Sequence, residues 1–295
     1  MRHPLEAPPR DSEALGIFLR HFRLERRGPE ASSLPCIVRA FARIPYENLT
    51  KIIKYDACRD PRTARRFPLE VVRDHEAWGA GGTCFSLTAT LLHLLRASGF
   101  EAEPILADRP YGANTHCALL VRGENGYALL DPGYLILRPI PLETLLRPAS
   151  LTASRSPETI VATDFNDLVL VPHPSGEKLD LHTVQDGKRV HRITFKLRPA
   201  DPGEFLAAWD ASFEWDTMRS PVLTRVVDSR QLYLHETRLQ VRERLGASRT
   251  KLPLDALPGA VAETFGVAPG VVRQAIEVLV RKGEVRPEPA PGGLP

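Results

Sequence analysis

The stretch AGGTCFSLTATLLHLLRASGF, residues 80–100, decides how the rest of the chain is read. From Cys84 onward it is apolar on nearly every face, the pattern of a helix buried on all sides. Gly99 suits its C-terminal end, where a left-handed residue closes a helix at little cost. Three glycines among residues 79–82 lead into it, so other groups can approach Cys84 closely. At a helix N-terminus unpaired amides and the macrodipole favour negative charge, which makes Cys84 a candidate nucleophilic thiolate.

Beyond Gly99 the hydrophobic period changes from helix to strand. Residues 101–107, 116–122 and 127–131 read as strands, the last two joined by Gly-Glu-Asn-Gly. If residues 123–126 form a four-residue loop, Arg122 pairs with Tyr127 and Asp131 lies opposite Ala118. His116 and Asp131 are then diagonal neighbours on one face, roughly 7–8 Å apart at the backbone. A three-residue loop would put them on opposite faces. A thiol, an imidazole and a carboxylate so placed form a nucleophile, a base and the group that orients the base. Cys117 lies on the strand face opposite His116 and is expected in the core.

Outward from this centre, residues 12–25 and 33–55 carry helical patterns, the second broken at Pro45. Residues 59–70, basic and proline-bearing, read as a surface loop, with Arg62, Arg65 and Arg66 on a solvated face or toward phosphates. Strands follow at 159–163, 167–171 and 190–197, a helix at 199–216, strands at 222–227 and 231–242, and one or two helices at 257–282. Trp209, Phe213 and Trp215 fall at helical spacing and are expected in the core. The proline-rich tail after Arg286 is expected to be disordered.

Composition excludes some partners. Lys and Arg number 39 against 36 Asp and Glu, a net charge of +3 that gives no basic footprint for nucleic acid. Residues 261–285 resemble the helix-turn-helix of certain bacterial repressors, with Arg273 and Gln274 toward DNA, and the same charge argument weighs against that reading. No apolar run approaches the roughly 20 residues of a membrane span, and MRHPLEAPPRDSEALG has no apolar stretch of signal-peptide length. Cys36, Cys58, Cys84 and Cys117 form no CxxC pair, so neither a disulfide framework nor a metal site is expected. A cytoplasmic location is expected.

Four motifs in order resemble the arylamine N-acetyltransferase family across nearly the whole chain. IPYENL (residues 44–49) resembles its early motif, AGGTC (80–84) its cysteine motif, NTHCALLV (114–121) its histidine strand and LLDPGY (129–134) its aspartate strand. EFLAAWDASFEWDTMRSPVLTRVV resembles the family's third-domain helix and following strand, and the FGV beginning at Phe265 its last helix. The resemblance implies an α+β fold: a helical domain over 1–100, a β-barrel over 101–196 and an α/β domain over 197–286, with 287–295 as the tail. It implies a catalytic triad of Cys84, His116 and Asp131 in a cleft between the first two domains. Gly81, Gly82, Thr83, Asn114, Thr115 and Tyr134 are then candidate substrate or cofactor contacts.

The implied chemistry is ping-pong: Cys84 takes an acyl group from acetyl-CoA or another acyl-CoA, then passes it to an arylamine, hydrazine or similar small-molecule amine. Amide formation from a thioester on an acyl carrier protein, a transglutaminase-like or peptidase-like reaction, and a silent binding protein stand as alternatives. The sequence departs from the family at Ala80, where an arginine and its ion pair are missing. It departs also at Ser86 and Thr88, where Glu and Asn are usual, at Pro132, and in a shortened Cys84-to-His116 interval. Glu47 and Asn48 either support the cleft or simply end a helix.

Overall fold

In the computed structural model, which describes residues 5–30, 32–143, 158–185 and 187–286, helices occupy the first third of the chain. They are α1 (Glu13–His21), α2 (Ser33–Phe41), α3 (Leu49–Cys58), α4 (Pro61–Ala64), α5 (Pro68–Trp78) and α6 (Cys84–Ala97), with a two-residue strand β1 (Tyr46–Glu47) before α3. Twelve of the 14 residues of α6 are buried, because α1, α2 and α5 pack on one side of it and a sheet on the other. Gly99 takes a φ of +94° just past its end. The segment expected as a surface loop at 59–70 instead holds α4 and the start of α5. Asp60 accepts from the Thr63 amide at 2.9 Å with Pro61 next in line, and Pro68 opens α5. These prolines start helices, where their missing N–H has no role, and do not break them.

The middle of the chain is an antiparallel sheet of β2 (Ala102–Arg109), β3 (Gly112–Gly123), β4 (Gly126–Asp131), β5 (Ile136–Pro141), β6 (Thr159–Ala162), β7 (Asp167–Pro172), β8 (Lys178–Gln185) and β9 (Lys188–Lys196). Their order is β5-β4-β3-β2-β9-β8-β7-β6. The barrel is open, since the edge strands β5 and β6 are not paired with each other. The sheet curls nonetheless, and Ile136 and Ile140 from one end share a core with Leu168, Leu170 and Val161 from the other. Strands β5 and β8 add to those expected. Pro139 and Pro141 are tolerated in β5 because it is an edge.

The C-terminal third contains α7 (Pro202–Ala211), β10 (Val222–Val227), β11 (Arg230–His235), β12 (Arg238–Glu243), β13 (Gly246–Lys251), α8 (Leu257–Phe265) and α9 (Pro269–Arg281). The single strand expected at 231–242 is the β11–β12 hairpin, turned at Glu236 with a φ of +56°. The expected helix at 199–216 ends at Ala211, although Trp209 and Phe213 are buried as foreseen and Trp209 stacks on Phe85 of α6. The helix-turn-helix-like segment places Val261, Phe265, Val272 and Ala275 against Leu223, Leu232 and Leu234 of the sheet, leaving Arg273 and Gln274 exposed.

Strand β1 belongs to this last sheet, whose order is β1-β10-β11-β12-β13. Tyr46 pairs with Thr224 and Glu47 with Leu223 on one side, and Tyr46 bridges Gly82 on the other. Two residues therefore join the C-terminal sheet to the turn that precedes Cys84. No helix among the described residues is long and apolar enough to cross a membrane. The proline-rich tail lies outside the described residues.

Because α6 is enclosed, truncation inside it leaves a cavity that its neighbours cannot fill. Leu91→Ala is expected to cost about 2–5 kcal/mol, read by urea unfolding.

Candidate active site

The site starts from a buried carboxylate. Glu47 accepts hydrogen bonds from the Thr50 amide (2.9 Å), the Thr50 hydroxyl (2.5 Å) and the Gly81 amide (3.2 Å). Arg66, also buried, stands 3.5 Å from the same carboxylate, donates to the Gly81 carbonyl at 2.5 Å and pairs with Asp74 at 2.5 Å. An arginine nevertheless reaches this carboxylate, and it is Arg66 from the short segment between α4 and α5. Arg65 donates to both Asp210 oxygens through Nε and Nη2, at 2.7 and 2.6 Å. The expected solvated arginine face is therefore corrected for these two, and only Arg62 faces outward.

The glycines before Cys84 serve close packing. A Cβ on Gly81 would stand 1.8 Å from the Pro45 carbonyl oxygen, and one on Gly82 would stand 2.3 Å from Ser86 Oγ. Gly79 caps α5 with a φ of +65°. Asn48, the other half of the helix-end pair, accepts from the Val222 amide at 2.8 Å and donates to the Ser220 carbonyl at 2.7 Å and to that of Thr217. Both residues tie neighbouring segments together and flank the start of α3.

Cys84 is the first residue of α6, and Thr83 before it makes no side-chain cap. Across from it the β3–β4 hairpin keeps the expected register: Arg122 faces Tyr127, and pairing runs one step further to Gly123 and Gly126, leaving a two-residue turn. Loops of two and four residues share the same face parity, so His116 and Asp131 meet, with His116 Nε2 2.6 Å from Asp131 Oδ2. Both are fully buried. The second Asp131 oxygen accepts from the Tyr134 amide at 2.8 Å. With Nε2 engaged, Nδ1 is the ring nitrogen left for the thiol.

Charge at this corner favours an ion pair. The Cys84 thiol is held well below its ordinary pKa by a hydrogen bond from Cys117, by the bond and charge of His116, and by the charge of Lys51, against burial. For His116 burial opposes the imidazolium, but the Asp131 charge and the bonds to Asp131 and Cys84 raise its pKa. A thiolate beside an imidazolium is the reactive form of such a pair.

The candidate contact residues are held in different ways. Gly81, Gly82, Thr83 and Tyr134 border Cys84 or its partners. Asn114 and Thr115 are occupied in the β2–β3 hairpin: Asn114 bonds Asp108 through its amide (2.8 Å) and accepts from Lys196 (2.5 Å), and Thr115 donates to Gly112 at 2.7 Å. Cys117 is buried as expected, yet its thiol reaches Cys84 from the α6 side of β3.

Three further residues escaped the sequence reading. Gly133 packs so closely that a Cβ there would stand 2.7 Å from Cys84 Cβ and 3.0 Å from His116 Cε1. Lys51, buried, donates to the Ser212 carbonyl and hydroxyl at 2.7 Å, lies over Phe213, and has its pKa lowered by burial to about 7. Arg109 stands over the Tyr134 ring. The Gly in LLDPGY was a visible signal for the first; a lysine within a helical pattern gave none for the second.

Comparison with known proteins places this geometry. No family model matches the sequence. The chain has the arylamine N-acetyltransferase fold: it superposes on the enzyme from Salmonella typhimurium with a TM-score of 0.71 at 19% identity, covering 92% of this chain and 99% of that one. The Mycobacterium marinum arylamine N-acetyltransferase, solved in complex with CoA, gives 0.67 at 17% identity, covering 90% and 99%. In sequence, the chain is 30% identical over 141 residues to YvcN, an uncharacterised acetyltransferase of Bacillus subtilis. That match spans 43% of this chain and 52% of YvcN, about half its length.

Two outcomes follow from the geometry. Gly133→Ala forces Cys84 and His116 apart and should lower Cys84 alkylation at pH 7 about 100-fold, with circular dichroism unchanged. Because the thiol pKa is depressed, alkylation of wild-type Cys84 by iodoacetamide should stay nearly flat as pH rises from 7 to 9. In His116→Ala it should climb with pH like an ordinary thiol's.

Proposed function

We propose that the chain is a cysteine acyltransferase that moves an acetyl or other acyl group from coenzyme A through a thioester on Cys84 to a small amine, with arylamines and hydrazines as the acceptor class. The observation that carries this reading is the buried His116–Asp131 pair at 2.6 Å beside a thiol at the first position of α6. The fold it shares with arylamine N-acetyltransferases, one of them solved with CoA, supports the donor.

In this reading the Cys84 thiolate attacks the acyl carbonyl, and the tetrahedral oxyanion is met by the uncapped amides at the start of α6. The carbon–sulfur bond to CoA breaks, and the departing thiolate takes the proton held by the His116 imidazolium. An amine then attacks the Cys84 thioester. His116, now neutral, accepts the amine proton as the Cys84 thiolate leaves, which restores the ion pair. Asp131 keeps the imidazole in one tautomer and stabilises its charged form without taking the proton. Gly81 and Gly82 let the turn before Cys84 pack against Pro45 and Ser86, and Tyr134 forms an aromatic wall beside the carboxylate.

Incubation with acetyl-CoA followed by intact mass measurement tests this. Wild type should gain one acetyl group that an aromatic amine removes, and Cys84→Ala should gain none. An unacylated wild type whose Cys84 still alkylates rapidly would overturn CoA as donor.

A further inference from the structure

The Arg109 guanidinium makes no hydrogen bond among the described residues, whereas Arg225, whose Nε is likewise unpartnered, donates to the Phe265 carbonyl at 2.9 Å. Arg65 and Arg66 each face carboxylates at 2.5–2.7 Å. The Arg109 guanidinium has no carboxylate within ion-pair distance among the described residues, and its Nε is buried with no hydrogen-bond partner. A permanently charged group in that position is costly unless something pairs with it.

Its placement says where a partner would come from. Arg109 pairs with Gly112, so Pro110 and Tyr111 form a two-residue turn at the tip of the β2–β3 hairpin. A register shift separates it from Ala107, the residue opposite His116. From there its Cζ stands 5.3 Å from the centre of the Tyr134 ring. Burial works against its charge, while Tyr111, Cys84, Asp131 and Tyr134 hold it, and it in turn opposes the His116 imidazolium. Asp131 is already committed to His116 and the Tyr134 amide. Tyr46 and Tyr233, on opposite sides of Thr224 in the C-terminal sheet, both feel the charge of Arg109, and Tyr46 also that of Cys84.

We propose that Arg109 is a carboxylate-binding subsite beside Cys84, taking an anionic group carried either by the acyl chain or by the aromatic acceptor. The inference rests on the acyl-transfer reading for its biological use, but binding of a carboxylate does not. A guanidinium offers paired donors to a carboxylate, and an uncharged isostere leaves them unpaired.

Two probe pairs separate the sources. In the first, benzoate and benzamide compete with iodoacetamide for access to Cys84. In the second, succinyl-CoA and butyryl-CoA load Cys84, followed by intact mass. The carboxylate member should be favoured about tenfold or more in at least one pair. Arg109→Gln should erase that preference while ligand-free alkylation and the melting temperature show the variant folded, and Arg109→Lys should restore part of it. The pair that shows the preference identifies the acceptor or the acyl chain as the source. No preference in either pair, or one that survives Arg109→Gln, overturns the subsite. Failure of every CoA thioester to load, with benzoate protection dependent on Arg109, would instead overturn the transferase reading and leave the subsite standing.

Discussion

The buried carboxylate of Glu47 is the constraint on which the rest depends. A charge taken out of water must be surrounded by donors. Here the donors are drawn from α3, from the glycine turn before α6 and from Arg66. Satisfying it fixes the turn, and the turn fixes the first residue of α6. The same two-residue strand pairs with β10, so the position of Cys84 is tied to the C-terminal sheet as well.

From that fixed point the chemistry is assembled by packing. Strand β3 lies along α6 and offers one face to the helix and the other to the inside of the curled sheet. Cys117 lies on the helix side and His116 on the other, yet both reach Cys84 because it sits at the end of α6. Gly133 lets the aspartate strand close over them without a side chain in between. The result brings a thiol, an imidazole and a carboxylate together, with the charges of Lys51 and Arg109 reaching them. Charges of alternating sign there stabilise one another in a medium too apolar to stabilise any of them alone.

Much of this was legible along the chain. The all-round apolar pattern of residues 84–97 identified the buried helix, and the Gly-Glu-Asn-Gly connection set the register that brings His116 to Asp131. Periodicity served less well where proline had two meanings: Pro61 and Pro68 open helices, and Pro139 and Pro141 mark an edge strand. The basic run at 59–70 misled because charge alone does not tell a solvated arginine from one whose carboxylate partner lies far off in sequence.

The sequence by itself determined the local order: which segment is buried helix, which are strands, and that a cysteine opens that helix while a histidine and an aspartate lie on strands joined by one hairpin. Period and turn length are short-range properties, readable within a dozen residues. Only the tertiary structure decided that Arg66 comes to the Glu47 carboxylate, that Asn114 and Thr115 are bonded within a hairpin, and that the charges of Lys51 and Arg109 reach the thiol. Each of those outcomes depends on partners from distant parts of the chain, and burial gives a charge its meaning only after those parts have met.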